Sequence, residues 1–399
     1  MSAKRHYLVF LMLLIVLLVA CEKLTPPAPD DNALLDGPLP GLTTQQSKQF
    51  LDGDIAFNDE VFTVESGLGP LFVATSCGSC HAGDGKGTPF TTLTRFGQHD
   101  ATGNQFLQHG GPQLQNRAIP GYVAEQIPSG ATFAKFTPPS NTGLGFIELV
   151  SDEDIIAMSD PFDANGDGIS GVPNWKKIPE YINPRAGALE NNENYICRFG
   201  KKAGAYNLLQ QTVNAYNQDM GITSIYEPID VASGLEFDPE VTTQTVHNVV
   251  FYLQTLKAPI PRDQDDAQVS YGKQIFMNIG CEGCHKQTLK TGASPVEALN
   301  FKEFHPYTDL LLHDMGPGLD DGYTEGSALT SEWRTSPLWG LGLSPISQGG
   351  LYYLMHDGRA HSIEEAILMH GGEATASREA YNTLTRSDKD ALIKFLESL

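Results

Sequence analysis

The string Cys-x-x-Cys-His occurs twice in this chain of 399 residues, as Cys77-Gly78-Ser79-Cys80-His81 and Cys281-Glu282-Gly283-Cys284-His285. No other feature of the sequence constrains the fold as strongly. Two thiols so spaced on a helical turn reach both vinyl groups of one porphyrin, and the adjacent imidazole then points at the iron from the same face. Each string therefore reads as a covalent attachment site for haem c, with His81 and His285 as proximal ligands. Chance supplies one match in roughly one of 400 sequences of this Cys and His content, so two matches are not coincidence. The competing uses of a Cys-x-x-Cys pair fit poorly. Zinc would want further Cys or His pairs at finger spacing, and a thiol redox site needs no histidine directly after it.

Each string follows a helix-like segment. Asp265 to Gly280 carries Val269, Lys273, Ile275 and Phe276 at helical spacing, and Thr43 to Phe62 carries Phe50, Ile55, Phe57 and Phe62. With 40 Gly and 25 Pro, the chain must join its helices by long loops. The expected fold is mainly α: two cytochrome c-like helical haem domains with a loop-rich insertion. The strings lie 204 residues apart, so the duplication is interrupted. Pro259 to Arg262 punctuates the chain and places a first domain, with its insertion, at 43–260 and a second at 261–399.

At the N-terminus, Lys4 and Arg5 precede an apolar run from Tyr7 to Ala20 that ends at Cys21. This reads as a secretory signal over residues 1–20, too short for a comfortable membrane span. Leu18-Val19-Ala20-Cys21 resembles a bacterial lipobox, which makes Cys21 the lipidated residue and 21–42 a Pro- and Asp-rich tether. The alternative is an uncleaved anchor helix. Either way the folded part is expected outside the cytoplasm, anchored to a membrane and facing the periplasm or the cell exterior. Acidic residues outnumber basic ones 48 to 26, and a net charge of -22 repels phosphate backbones, so nucleic acid is not an expected partner. Cys197, the one cysteine left over, reads as a buried apolar-like residue.

Inside the insertion, Asp163, Asn165 and Asp167 alternate, with Gly168 after the third, like the start of a calcium loop. The Glu expected at the twelfth position is Asn174. Two readings stay open: a bound Ca²⁺ bracing the haem domains, or an Asx turn. For the second haem, His313, Met315 and His370 are candidate distal ligands. Ser362 and Glu365 form the signature of a capping box, and the helix that follows presents Ile363, Ala366, Ile367 and His370 on one stripe before Gly371 stops it.

These strings occur in a wider order. It comprises Gln113-Leu114-Gln115, Ala118 to Gly121, the Asp163 loop, Arg198-Phe199-Gly200, Met220 to Thr223, His313 to Leu319, Arg334 to Gly340, and His356-Asp357-Gly358-Arg359 through His370 to Glu373. Over most of residues 45–399 the chain resembles the bacterial diheme cytochrome c peroxidase superfamily, in particular its subgroup of diheme thiol oxidoreductases or peroxidases. The resemblance implies that electrons enter at the second haem and cross to the first, where peroxide or a related oxidant is reduced. It places the distal ligand of the second haem 14 residues after His356, at His370, with Met315 as the alternative. Bis-His ligation would make that haem the more reducing kind. For the first haem it implies an open site or a displaceable histidine, His99 or His109, and by position Glu148 as the acid over the iron. Where the subgroup commonly has Trp after Arg-Phe-Gly, this chain has Lys201 and Lys202, leaving Trp175, Trp333 and Trp339 as aromatics that could pass electrons. The implied partners are a small electron-donor protein or membrane redox chain and a peroxide-like substrate. A non-catalytic periplasmic electron-transfer cytochrome is the alternative, and a tethered redox sensor a third reading. No Cys-x-x-Cys is left free for dithiol exchange.

Overall fold

The computed structural model describes residues 29–97, 99–100, 103–104, 106 and 112–399. The expected signal segment, Cys21 and His109 lie outside the described residues, as does the side chain of His99. In chain order the helices that position the site are α1 (Thr44–Asp54), α2 (Leu144–Glu148), α3 (Leu208–Asn214), α4 (Thr243–Thr255), α5 (Ala267–Asn278), α6 (Ile363–Met369) and α7 (Arg386–Ser398). Helix content is 35% against 12% strand, in keeping with the mainly α class expected.

Helices α1 and α5 are the segments that precede the two haem strings, and each crosses a later helix at a glycine. A Cβ on Gly53 of α1 would lie 2.1 Å from the Asn248 carbonyl oxygen in α4, and one on Gly272 of α5 would lie 2.0 Å from that of Ala391 in α7. Only glycine permits so close a backbone approach. Aromatic pairs flank both crossings: Phe50 with Tyr252 at 5.0 Å between ring centroids, and Phe276 with Phe395 at 5.5 Å. Thr43 caps α1 in a full box with Gln46, which fixes where the helix begins.

Between these helix pairs the chain runs in loops pinned by short antiparallel strands. Leu93–Phe96 pairs with Phe133–Phe136, Asn174–Lys177 with Asn194–Cys197, and Leu312–Asp314 with Glu332–Arg334. A bridge from Val172 to Leu312 ties the insertion to the C-terminal third. The main core gathers Phe50, Phe57 and Ile147 with Leu289, Phe304 and Trp339, so residues beyond the Pro259 punctuation complete it. A second core, from Val269 to Leu399, is formed by the α5 and α7 end.

The segment expected as a tether is partly packed. Leu35 and Leu39 are buried, the Leu39 N–H donates to the Thr255 carbonyl at 2.8 Å, and Asp31 pairs with Lys257. Burial of its leucines and the bonds to Thr255 and Lys257 oppose the chain entropy lost in ordering it.

Arg198 of the Arg-Phe-Gly segment has no exposed side-chain surface. It pairs with Asp152, also fully buried, and donates to the Val150 carbonyl. This anchors Phe199 and Gly200, which line the first cavity.

Candidate functional site

Both Cys-x-x-Cys-His strings form the same local turn. The His81 N–H donates to the Cys77 carbonyl and the His285 N–H to that of Cys281, each at 3.0 Å, which is the i to i−4 bond of a helical turn. Each turn faces a large cavity, with about 1720 Å³ of empty space at the first string and about 1510 Å³ at the second, part of it open to solvent. The paired thiols, the imidazole and aromatic side chains line each one together, as a site for a flat macrocycle requires.

The two imidazoles are prepared alike. His81 Nδ1 lies 3.0 Å from the Pro139 carbonyl and His285 Nδ1 3.0 Å from that of Tyr307. A carbonyl can only accept, so Nδ1 carries the proton and Nε2 presents a bare lone pair. Burial pushes both imidazoles down to about 4, which keeps them neutral and ready to bind a metal. An apolar slot, paired thiols and a neutral, oriented imidazole fit a haem in each cavity.

The second cavity also contains His370, at the C-terminal end of α6. Ser362 accepts the Glu365 N–H at 3.0 Å as expected, while the Glu365 carboxylate reaches the His361 N–H instead of closing the box. His370 Nδ1 bonds to the Ala366 carbonyl at 2.7 Å, so it too offers Nε2. Its ring centroid is 6.5 Å from that of His285. Metal–nitrogen bonds of about 2 Å on opposite sides of one ion would put the centroids roughly 6.3 Å apart. Met315 lines the same cavity. His313 does not remain a candidate. Its Nε2 is 2.9 Å from Asp309 and its Nδ1 2.7 Å from Glu373, so neither nitrogen is free. Burial opposes its charge, but bonds to Asp309, Cys284 and Glu373 outweigh that and raise it to about 12.

Glu148, expected as the acid over the first haem, is turned elsewhere. Its carboxylate accepts the Leu208 N–H and the Gln254 amide, each at 2.7 Å, and it is not among the residues that line the cavity. Leu208 opens α3, and an unsatisfied N–H at a helix start draws a carboxylate. The acids in the wall are Asp219 and Glu325. Burial raises Asp219 to about 6, against a lowering bond from Gln113. Burial would raise Glu325 as well, but Arg95 at 2.7 Å and Lys176 at 3.4 Å outweigh it and hold it below the usual range. Sequence reasoning missed both acids: Asp219 lies just before the Met220 to Thr223 segment, and no motif adjoins Glu325. Among the described residues of this wall, His81 is the one histidine.

The Asp163 loop is closed on itself. Asp163 accepts the Gly168 N–H at 3.1 Å, Asn165 that of Asp167 at 2.9 Å, and Asp167 that of Ile169 at 2.9 Å. The last two of these are Asx turns, and they hold the loop's side chains inward over its own backbone. Asn174 points away from the loop, its amide donating to the Lys202 and Glu325 carbonyls. Of the tryptophans, Trp339 lines the first cavity and Trp333 the second, while Trp175 packs against the main core. Trp333 stacks on His356 with ring centroids 3.6 Å apart, the Lys202 ammonium lies 3.9 Å from its ring centre, and Phe136, a first-cavity residue, meets it in a T-shaped contact with centroids 5.7 Å apart.

Three cysteines of the two strings are not poised for thiol chemistry as free thiols. Burial pushes Cys77 and Cys281 up to about 12 and Cys80 to about 11, far from the thiolate that exchange requires. Cys197 is buried and likewise raised to about 12.

No match to a curated protein was found. Among solved structures, the chain is similar to the Kuenenia stuttgartiensis hydrazine synthase pressurized with 20 bar xenon, at 13% identity and a TM-score of 0.38 over 94% of this chain and 98% of that one. It is similar at 14% identity and the same TM-score to a MauG-like protein associated with microbial copper homeostasis, over 94% of each chain. A family model described as "Di-haem oxidoreductase, putative peroxidase" matches residues 134–399, about two-thirds of the sequence. With two cavities built to one plan, each on a Cys-x-x-Cys-His turn, and a family match that runs from the insertion through the whole of the second, this chain belongs to the di-haem oxidoreductase family.

Proposed function

We propose that the protein is a diheme c-type oxidoreductase that reduces peroxide or a related oxidant at its first site, with electrons supplied through its second. The haems, held by thioethers to Cys77 and Cys80 and to Cys281 and Cys284 with His81 and His285 as proximal ligands, supply the one-electron chemistry.

The contrast between the two cavity walls carries this reading. In the second, His370 faces His285 at ligation distance, and such a closed site suits electron entry rather than substrate. In the first, the wall instead holds a protonatable carboxyl beside a fixed ion pair. Breaking a peroxide O–O bond requires a proton on the leaving oxygen, and an acid serves best when its pKa lies near the working pH. Asp219, raised by burial to about 6, meets that requirement. Glu325, held ionised by Arg95, does not; the Arg95–Glu325 pair keeps a fixed charge distribution in the wall. Phe57, Phe136, Phe199 and Trp339 give the site an apolar lining. The electron source would be a small donor protein or a membrane redox chain, reached by an exported protein anchored through Cys21.

Steady-state reduction of hydrogen peroxide by the holoprotein, with a chemical electron donor, tests the proposal. Turnover that falls in Asp219→Asn supports it. No turnover with any donor leaves the electron-transfer cytochrome as the better account.

A further inference from the structure

The chain is strongly acidic, yet it places three half-buried cations together between the two cavities. Lys86, Lys201 and Arg334, with Ser336 and Pro337, line both cavities and so form the wall between them. Among the described residues, none of the three makes an ion pair with a carboxylate. Arg334 Nε donates to the Gly200 carbonyl at 2.8 Å, and the two ammonium groups have no hydrogen-bond partner there. The other cations of the cavities are spoken for: Arg95 by Glu325 and Arg378 by Glu379. Burial lowers Lys86 to about 8, and Lys201 to about 7 with added repulsion from Lys86 and Arg334, so the three groups crowd one another. Like charges gathered at half-buried positions without a carboxylate partner favour a counter-charge beside them.

A haem has one anionic edge, its two propionates, and an otherwise apolar perimeter. In each cavity the cations free to meet that edge are these same three. We propose that Lys86, Lys201 and Arg334 form one carboxylate-binding wall that takes propionates of both haems and thereby couples their reduction potentials. The proposal rests on the two-haem reading, but not on peroxide as the substrate. A cation beside a haem favours its reduced form, so a charge shared by both sites moves both potentials together.

The test is a spectroelectrochemical titration of the holoprotein, with its haem content per chain measured first, in wild type, Lys201→Met, Lys86→Met and Lys201→Arg, each at low and high phosphate. Each methionine substitution alone is expected to lower both midpoint potentials. Lys201→Arg keeps them near the wild-type values, and phosphate has no effect. A methionine variant with full haem content in which one potential moves alone, or neither moves, overturns the proposal. So do potentials that follow phosphate concentration, because the wall would then serve a free anion. If Lys201→Met takes up no haem, Lys86→Met and Lys201→Arg decide by the same criteria. Shifted potentials without peroxide turnover would sink the proposed activity and keep this wall, whereas turnover with immobile potentials would do the reverse.

Discussion

His285 and His370 face each other across the second cavity with ring centroids 6.5 Å apart, each with Nδ1 tied to a backbone carbonyl and Nε2 turned inward. The spacing matches what two imidazoles on one iron require. His370→Ala is therefore expected to convert one haem of the holoprotein from low to high spin and leave the other unchanged. EPR of the oxidised variant reads this directly. An unaltered spectrum would shift the distal position to Met315.

Of the two acids in the first cavity wall, Asp219 is the one that burial raises, whereas Glu148 lies outside the wall. Loss of a positioned proton donor typically costs 10²–10⁴-fold. Asp219→Asn is expected to lower peroxide turnover by about that factor at pH 7, with haem content unchanged. Glu148→Gln keeps an acceptor for the Leu208 N–H and is expected to leave turnover within about threefold. Initial rates of the two variants, side by side, decide between the acids.

The Arg198–Asp152 pair is fully buried. Removing one partner strands the other charge without solvent, a loss of about 3–5 kcal/mol. Arg198→Leu is expected to cost that much in urea unfolding, and adding Asp152→Leu to recover part of it. A single substitution that costs under about 1 kcal/mol would mean that the pair does not hold the Arg-Phe-Gly segment in place.

Glu373 gives the stability a pH dependence of known sign. Burial opposes its charge, but bonds from His313 and Ser170 outweigh it and hold its pKa at about 2, below the ordinary 4.5. A depressed carboxyl binds fewer protons folded than unfolded, so its contribution is complete above pH 4.5 and lost as the pH falls toward 2. Glu373→Gln is expected to cost about 2 kcal/mol at pH 7 and far less near pH 2. Denaturation curves at the two pH values check this, and an equal cost at both would contradict it.

Much of this site was legible in the sequence wherever function is carried by local chemistry. The two Cys-x-x-Cys-His turns are single helical turns, so their spacing alone defines them. Helices α1 and α5 follow from apolar periodicity and α6 from its Ser362 cap. His370 came from a resemblance, and its place on the apolar stripe agreed with it. What the sequence hides is direction. Glu148 sits at the end of a short helix whose other neighbours come from α3 and α4, and only the fold shows its carboxylate capping Leu208. Asp219 and Glu325 are over a hundred positions apart and meet in one wall only after the loops close. The same holds for Lys86, Lys201 and Arg334, whose shared place between two cavities appears only once the chain is folded. The tether shows the opposite error, where Pro- and Asp-rich composition concealed leucines with a core to join.

The account depends on the two sites being unlike, one closed by His370 and one open to an oxidant. EPR of the holoprotein, fully oxidised and then half-reduced, before and after peroxide, tests that most directly. The account predicts a high-spin signal in at least one state that peroxide consumes. Two low-spin signals, indifferent to peroxide in both states, would contradict it.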